Sequence, residues 1–238
     1  MSKRFSFLPL LLLLTVSACD ATRGGGAPPL AGDLPGVTEE NRVTPRARRV
    51  TGSFPLASAG FPKGDSAAAI TIYEISDYGC RYCGVFAREE FPALSRDFVD
   101  SGRVRWVFIP TEGASVNGAE AARAAVCAGQ QDRFWEMHHL LFSDQRAWMR
   151  PRNPEPILTQ LAAAVGVEVV AFSTCYGGDA ARRRLQQSSR LSLLLGIRAT
   201  PSFFVDGRIV EGALRAAQFA ELIGRVEAAI SRETGPAE

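Results

Sequence analysis

Ile70-Thr71-Ile72-Tyr73-Glu74-Ile75-Ser76-Asp77-Tyr78-Gly79-Cys80-Arg81-Tyr82-Cys83 decides the fold. Its first seven residues are rich in β-branched and apolar side chains, which predicts a buried central strand. Asp77-Tyr78-Gly79 reads as a turn. From Cys80 onward the period becomes helical. Cys83, Ala87, Phe91, Leu94 and Phe98 recur at spacings of four, four, three and four, an apolar stripe along one helix face. A helix is therefore expected from about Cys80 to Phe98, with Pro92 kinking it. Ser101-Gly102 closes it, and Arg103 to Ile109 reads as the next strand. This β-α-β order implies two parallel strands joined by a right-handed crossover.

Further along, the pattern stays helical from about Ser115 to Leu195. Ala119 to Ala128, Gln131 to Phe142, Pro156 to Val165, Val169 to Tyr176 and Ala180 to Leu195 are the expected helices. Then Ser202 to Val205 and Arg208 to Val210 flank Asp206-Gly207, a two-residue hairpin signal. Ala216 to Ile230 is the last helix. The fold class is α/β: β-α-β, an inserted all-helical block at about 114–196, then β-β-α. No internal repeat is present.

Toward the N-terminus the chain reads as an export signal over residues 1–18. Lys3 and Arg4 precede an apolar run from Phe7 to Leu14, too short to span a bilayer, and Ser17 and Ala18 are small. The alternative is a short anchor that stays uncleaved. Val16-Ser17-Ala18-Cys19 resembles the bacterial lipobox, which implies lipid on Cys19; the same small residues would also permit ordinary cleavage after Ala18. Residues 19–52 are rich in Gly, Pro and Arg and read as a tether. The folded domain is placed at 53–232, with a disordered tail at 233–238.

Formal net charge is +2, and Lys3 with Arg4 account for it. No basic surface for nucleic acid is indicated. Five cysteines are present. Setting Cys19 aside leaves Cys80, Cys83, Cys127 and Cys175, an even number in an exported chain. Cys127 and Cys175 are expected to pair between helices of the inserted block; the alternative is two separate buried thiols.

Cys80-Arg81-Tyr82-Cys83 follows a strand and opens a helix, the context that makes two cysteines two residues apart a redox pair. Free N–H groups and the positive end of the helix stabilise a thiolate at Cys80. Cys80 is the expected attacking or attacked sulfur. Cys83, on the apolar stripe, is the resolving one. Half of a zinc site is the rival, yet no second such pair exists and His138 and His139 are adjacent, so no metal is expected. A purely structural disulfide is a further alternative. At least one of the two histidines reads as a packing residue.

Residues 74–84 resemble the active-site segment of DsbA-like thiol–disulfide oxidoreductases. Gly196-Ile197-Arg198-Ala199-Thr200-Pro201-Ser202-Phe203-Phe204-Val205-Asp206-Gly207 resembles their cis-proline segment, and the likeness extends over 54–232. It implies a thioredoxin core with a helical insertion, matching the element order above. It also implies a cis bond before Pro201 facing the disulfide, and backbone at Thr200 open to an extended substrate chain, with Arg81 and Tyr82 flanking it. Without the family, base rates favour trans at Pro201. Glu74 is implied as a buried acid that moves the resolving thiol's proton; the plainer reading is a strand-end Glu in solvent. Arg81 stands where the family often has Pro, which leaves the redox potential open.

The implied activity is thiol–disulfide exchange on reduced or unfolded exported proteins, without a cofactor, by a monomer anchored at the extracytoplasmic face of a membrane. A membrane redox partner would reoxidise it. Thiolate stabilisation at Cys80 places the expected potential at roughly −180 to −120 mV. The alternatives are a periplasmic reductase and a non-enzymatic binding lipoprotein.

Overall fold

The structure is a computed structural model that describes residues 47–234. The signal reading over 1–18, Cys19, most of the tether and the last four residues lie outside the described residues. In chain order the elements are β1 (Ala47–Arg49), α1 (Leu56–Ala59), β2 (Phe61–Lys63), β3 (Ile70–Ser76), α2 (81–99) and β4 (Val104–Pro110). The helical block follows as α3 (Gly118–Gly129), α4 (Phe134–Ser143), α5 (Gln145–Met149), α6 (Glu155–Ala164), α7 (Val169–Gly177) and α8 (Asp179–Leu194). The chain closes with β5 (Ser202–Val205), β6 (Arg208–Glu211) and α9 (Ala216–Thr234).

The sheet runs β1-β6-β5-β3-β4-β2, with β3 central. β3 and β4 are parallel; β3–β5, β5–β6, β1–β6 and β2–β4 are antiparallel. Two strands extend the sequence reading at its edges. β2 is three residues long and contains Pro62, so it carries no strand period. β1 lies inside the segment read as tether, so pairing begins before the expected boundary at 53. Its side chains offer no apolar alternation; the main chain pairs with β6, and the Arg48 guanidinium donates to the Leu195 carbonyl. Charged residues on an edge strand also discourage further pairing. At the other end Glu233 and Thr234 continue α9, correcting the tail boundary by one short step.

Both faces of the sheet are covered. Ile70, Ile72, Trp106 and Phe203 pack under Phe86 and Phe91 of α2 and Phe219 of α9. Ile75, Val107, Ile109 and Ile209 pack under Leu56 of α1 and Leu191 of α8. Burying one such side chain stabilises the fold by about 1.5–3 kcal/mol. The inserted block has its own core, in which Ala121, Ala122, Ala124, Ala125 and Ala128 of α3 are fully buried. Small side chains there let the neighbouring helices approach closely.

Pro92 is accommodated without a break in α2. Arg81–Val85 is α-helical, Phe86–Glu90 widens to a π turn, and Phe91–Leu94 returns to α before a second π stretch over Ser95–Val99. The Phe91 N–H reaches back to the Phe86 carbonyl, just before the proline that has no N–H to give. Widening the turn keeps Phe86 and Phe91 on the sheet and leaves the first turn of α2 at the end of β3.

Candidate active site

β3 delivers the chain to the C-terminal edge of the sheet, and the turn after it sets Cys80 at the start of α2. Four hydrogen bonds fix that turn. Asp77 Oδ1 accepts the Gly79 N–H at 2.9 Å, and the Cys80 N–H donates to the Asp77 carbonyl at 3.0 Å. Gln145, from α5 of the inserted block, donates its amide to the carbonyls of Tyr78 at 2.6 Å and Cys80 at 3.0 Å. Gly113 and Gly118 pack so tightly on the Asp77 carboxylate that a Cβ at either would overlap it.

Cys80 is the N-cap residue of α2. Its sulfur accepts the Cys83 N–H at 3.3 Å and lies 3.3 Å from the Thr200 carbonyl oxygen, to which its thiol donates. The Thr200–Pro201 bond is cis, and the Thr200 carbonyl lies against the sulfur. Both active-site cysteines are free thiols. Cys80 is half-buried and Cys83 fully buried.

That asymmetry separates the two thiols. The hydrogen bond from Cys83 brings the Cys80 thiol from the ordinary 9.0 down to about 6. Burial opposes the shift; Thr200 and the backbone N–H groups of Cys83 and Tyr82 reinforce it. Burial pushes the Cys83 thiol far up, and its bond to Cys80 adds to the rise. At neutral pH the pair is thus a thiolate at Cys80 above a thiol in the core. Iodoacetamide labelling of the reduced protein should rise with pH to a plateau, half-maximal near pH 6, at Cys80 alone. Labelling of Cys83 first, or a midpoint near 9, would contradict the assignment. Because the folded pKa is depressed, Cys80 stabilises the reduced fold fully above about pH 9, and that contribution is lost as pH falls through about 6.

Glu74 is 2% exposed, which removes the solvent reading. It shares a face with Ile70 and Ile72, and its Oε2 accepts the Trp106 indole N–H at 3.0 Å. Burial raises its carboxyl to about 7; the nearby Ser76 hydroxyl and Trp106 N–H only partly offset this. No hydrogen bond joins Glu74 to Cys83 directly. Arg81 and Tyr82, next to Cys80 in the chain, are exposed, Tyr82 at 66%. Beside Cys80 opens a cleft of about 500 Å³, lined by Arg81, Glu112, Ser192, Leu193 and Thr200 among others. It offers backbone at Thr200 and polar and apolar walls next to the reactive sulfur.

Cys127 on α3 and Cys175 on α7 are joined, with Cα atoms 5.7 Å apart. His138 is buried in an aromatic cluster, its Nδ1 3.2 Å from the Tyr78 hydroxyl, and burial holds its pKa well below the usual value. It packs rather than titrates near neutral pH. Among the described residues no group of three or more His, Cys, Asp or Glu could hold a metal ion. No described helix is long and apolar enough to cross a membrane. Sequence reasoning missed Ser76, Asp77 and Gln145. Asp77 and Ser76 stood inside the quoted motif; nothing in the sequence ties Gln145, some 65 residues downstream, to Cys80.

Residues 59–225 match the thioredoxin family. The disulfide bond formation protein D of Bacillus subtilis is 26% identical over 155 residues, which cover 62% of this chain and 68% of that protein. A segment of the Na(+)/H(+) antiporter NhaA 3 of Salinispora tropica is 31% identical over 148 residues; 61% of this chain is covered but only 21% of the antiporter. Among solved structures, the α-DsbA1 protein of Wolbachia pipientis superposes with a TM-score of 0.66 at 22% identity, covering 73% of this chain and 94% of that one.

Proposed function

The chain belongs to the thioredoxin family and has the DsbA-like form of its fold, and on that premise we propose that it is a thiol–disulfide oxidoreductase that oxidises the dithiols of exported proteins. The observation that carries the reading is the placement of Cys80 as the N-cap of α2, its sulfur against the Thr200 carbonyl before the cis Pro201, with Cys83 buried one turn further on. The name of the Bacillus relative supports the same chemistry.

In the oxidising direction a substrate thiolate attacks the Cys80 sulfur of the Cys80–Cys83 disulfide. A substrate–Cys80 bond forms, the Cys80–Cys83 bond breaks, and its electron pair stays on Cys83, which takes a proton. A second substrate thiolate then attacks the substrate sulfur and releases Cys80 as a thiolate. That thiolate is a good leaving group because its pKa is low. The Thr200 backbone lies against the sulfur, where an extended substrate chain can pair by strand addition. Arg81 and Tyr82 flank the approach. Two electrons end on the Cys80/Cys83 pair, and a membrane redox partner would remove them. On this chain's side, Cys80 and Cys83 carry the whole exchange.

Export under the signal at 1–18, lipid on Cys19 and a tether up to the first strand belong to the same proposal. They would hold the site at the extracytoplasmic face of a membrane, within reach of exported substrates. The test is stoichiometric. Oxidised protein mixed with a reduced two-cysteine peptide at pH 7 should yield one oxidised peptide per protein and a reduced Cys80/Cys83 pair. No peptide oxidation, with the protein disulfide left intact, would overturn the reading.

A further inference from the structure

Two buried polar atoms beside the redox pair have no hydrogen-bond partner among the described residues: Glu74 Oε1 and Ser76 Oγ. They belong to residues two apart on β3, so both side chains leave the same face of the sheet. The other Glu74 oxygen is already held by Trp106, so Oε1 is the one left free.

Cys83 arrives over this place from α2. Phe86 lies against Trp106 and Phe203, at ring-centroid distances of 6.0 and 4.9 Å. Phe203 is the β5 partner of Glu74, so Phe86 sits over the Glu74 level of the sheet. Cys83 precedes Phe86 by three residues and shares its helix face. α2 returns antiparallel to β3, as a crossover helix must, so Cys83 lies one turn nearer the C-terminal end of the strand. A helix turn is about 5.4 Å and two strand residues span about 6.6 Å. One turn back along α2 is thus matched by two residues forward along β3, from Glu74 to Ser76. The Ser76 hydroxyl lowers the pKa of both Cys83 and Glu74 against the rise that burial imposes, as a group set between them would.

We propose that the Ser76 hydroxyl relays the proton between the Cys83 sulfur and the Glu74 carboxyl, an inference that rests on exchange at Cys80–Cys83. When Cys83 leaves the disulfide as a buried thiolate, Ser76 Oγ gives it a proton and takes one from Glu74, which becomes a carboxylate. When Cys83 later attacks a mixed disulfide at Cys80, the proton runs back from Cys83 through Ser76 to the Glu74 carboxylate. The Cys83 electron pair forms the new S–S bond and the departing thiolate carries away its own pair. A carboxyl near 7 can serve in both directions at neutral pH. The titratable groups facing this pair are Cys80 at the start of α2 and Tyr78 from the turn, whose own pKa burial and Glu74 keep well above the usual value. Trp106 from β4, Phe203 from β5 and Phe219 from α9 close the site without titrating.

The experiment reacts the reduced, full-length protein with oxidised glutathione. It follows two rates: formation of the Cys80–glutathione mixed disulfide, and its first-order resolution by Cys83. For wild type, resolution should rise with pH through an inflection near 7, as the Glu74 carboxylate becomes available. In Ser76→Ala and Ser76→Gly, the ratio of resolution to formation should fall about tenfold and the inflection near 7 should vanish. Ser76→Thr, which keeps the hydroxyl, should restore both. An unchanged ratio and inflection in the Ala and Gly variants would overturn the relay. So would a Thr variant as slow as Ala, since packing and not the hydroxyl would then be responsible. A wild-type protein that forms no mixed disulfide at Cys80 would instead reject the exchange activity itself, a separate outcome. Should one small variant fail to fold, the other, read against Thr, decides.

Discussion

Cys80→Ser is expected to slow oxidation of the two-cysteine peptide by on the order of a thousandfold or more. The oxygen of serine can neither form the protein disulfide nor accept a substrate sulfur, so no covalent intermediate exists. Cys83→Ala should behave differently. It leaves the Cys80 nucleophile in place, with the Cys83 N–H still donated to it, and removes the resolving sulfur. The variant should therefore accumulate a long-lived mixed disulfide at Cys80, detected by mass mapping under non-reducing conditions. A Cys80→Ser variant retaining more than about a tenth of the rate would move the chemistry elsewhere.

Removing the second disulfide should have the largest effect on stability. Cys127 and Cys175 are 48 residues apart in sequence, so their bond closes a long loop in the unfolded chain. Chain entropy alone puts the loss for Cys127→Ala with Cys175→Ala at about 4 kcal/mol, an upper-side figure. Residual order in the unfolded state lowers it, while the space left beside the fully buried Cys127 adds to the loss. Urea unfolding of the double variant, with the Cys80/Cys83 pair kept reduced in both proteins, should show a loss of at least about 2 kcal/mol. A loss under about 1 kcal/mol would mean that the helical block holds α3 and α7 together without the bond.

The placing of Cys80 and Cys83 at the strand-to-helix turn was legible because its signals are local and change period at one point. An apolar strand ending at Ser76 and an apolar helical stripe beginning at Cys83 leave only the turn between them for Cys80. The cis-proline segment was legible through family resemblance, not through periodicity. The two edge strands were not, since three residues with arginines or a proline carry no pattern of their own. Their pairing is a main-chain property supplied by β6 and β4. Gln145 illustrates a further limit. Its amide joins the inserted block to the carbonyls of Tyr78 and Cys80, a contact made only by folding. Ser76 lay in full view in the sequence, but its meaning depends on an unpartnered buried hydroxyl, which only the packing of α2 on β3 makes visible.

The electrostatics around Cys80 bear on the expected potential. A Cys80 pKa near 6 lies between the values of about 7 for thioredoxin and about 3.5 for DsbA. A lower thiolate pKa stabilises the reduced pair and makes the disulfide more oxidising. Arg81 is exposed, so screening limits what its charge can add. The carboxylate form of Glu74 beneath the site works against a thiolate above it. These opposing terms leave the expected potential of the Cys80–Cys83 couple at roughly −180 to −120 mV, above thioredoxin's value of about −270 mV. Titrating the purified protein at pH 7 against defined ratios of reduced and oxidised glutathione measures it directly. A potential in that window, more oxidising than thioredoxin's, is the result an oxidase with this site requires. A potential at or below about −270 mV would contradict it and make the chain a reductase.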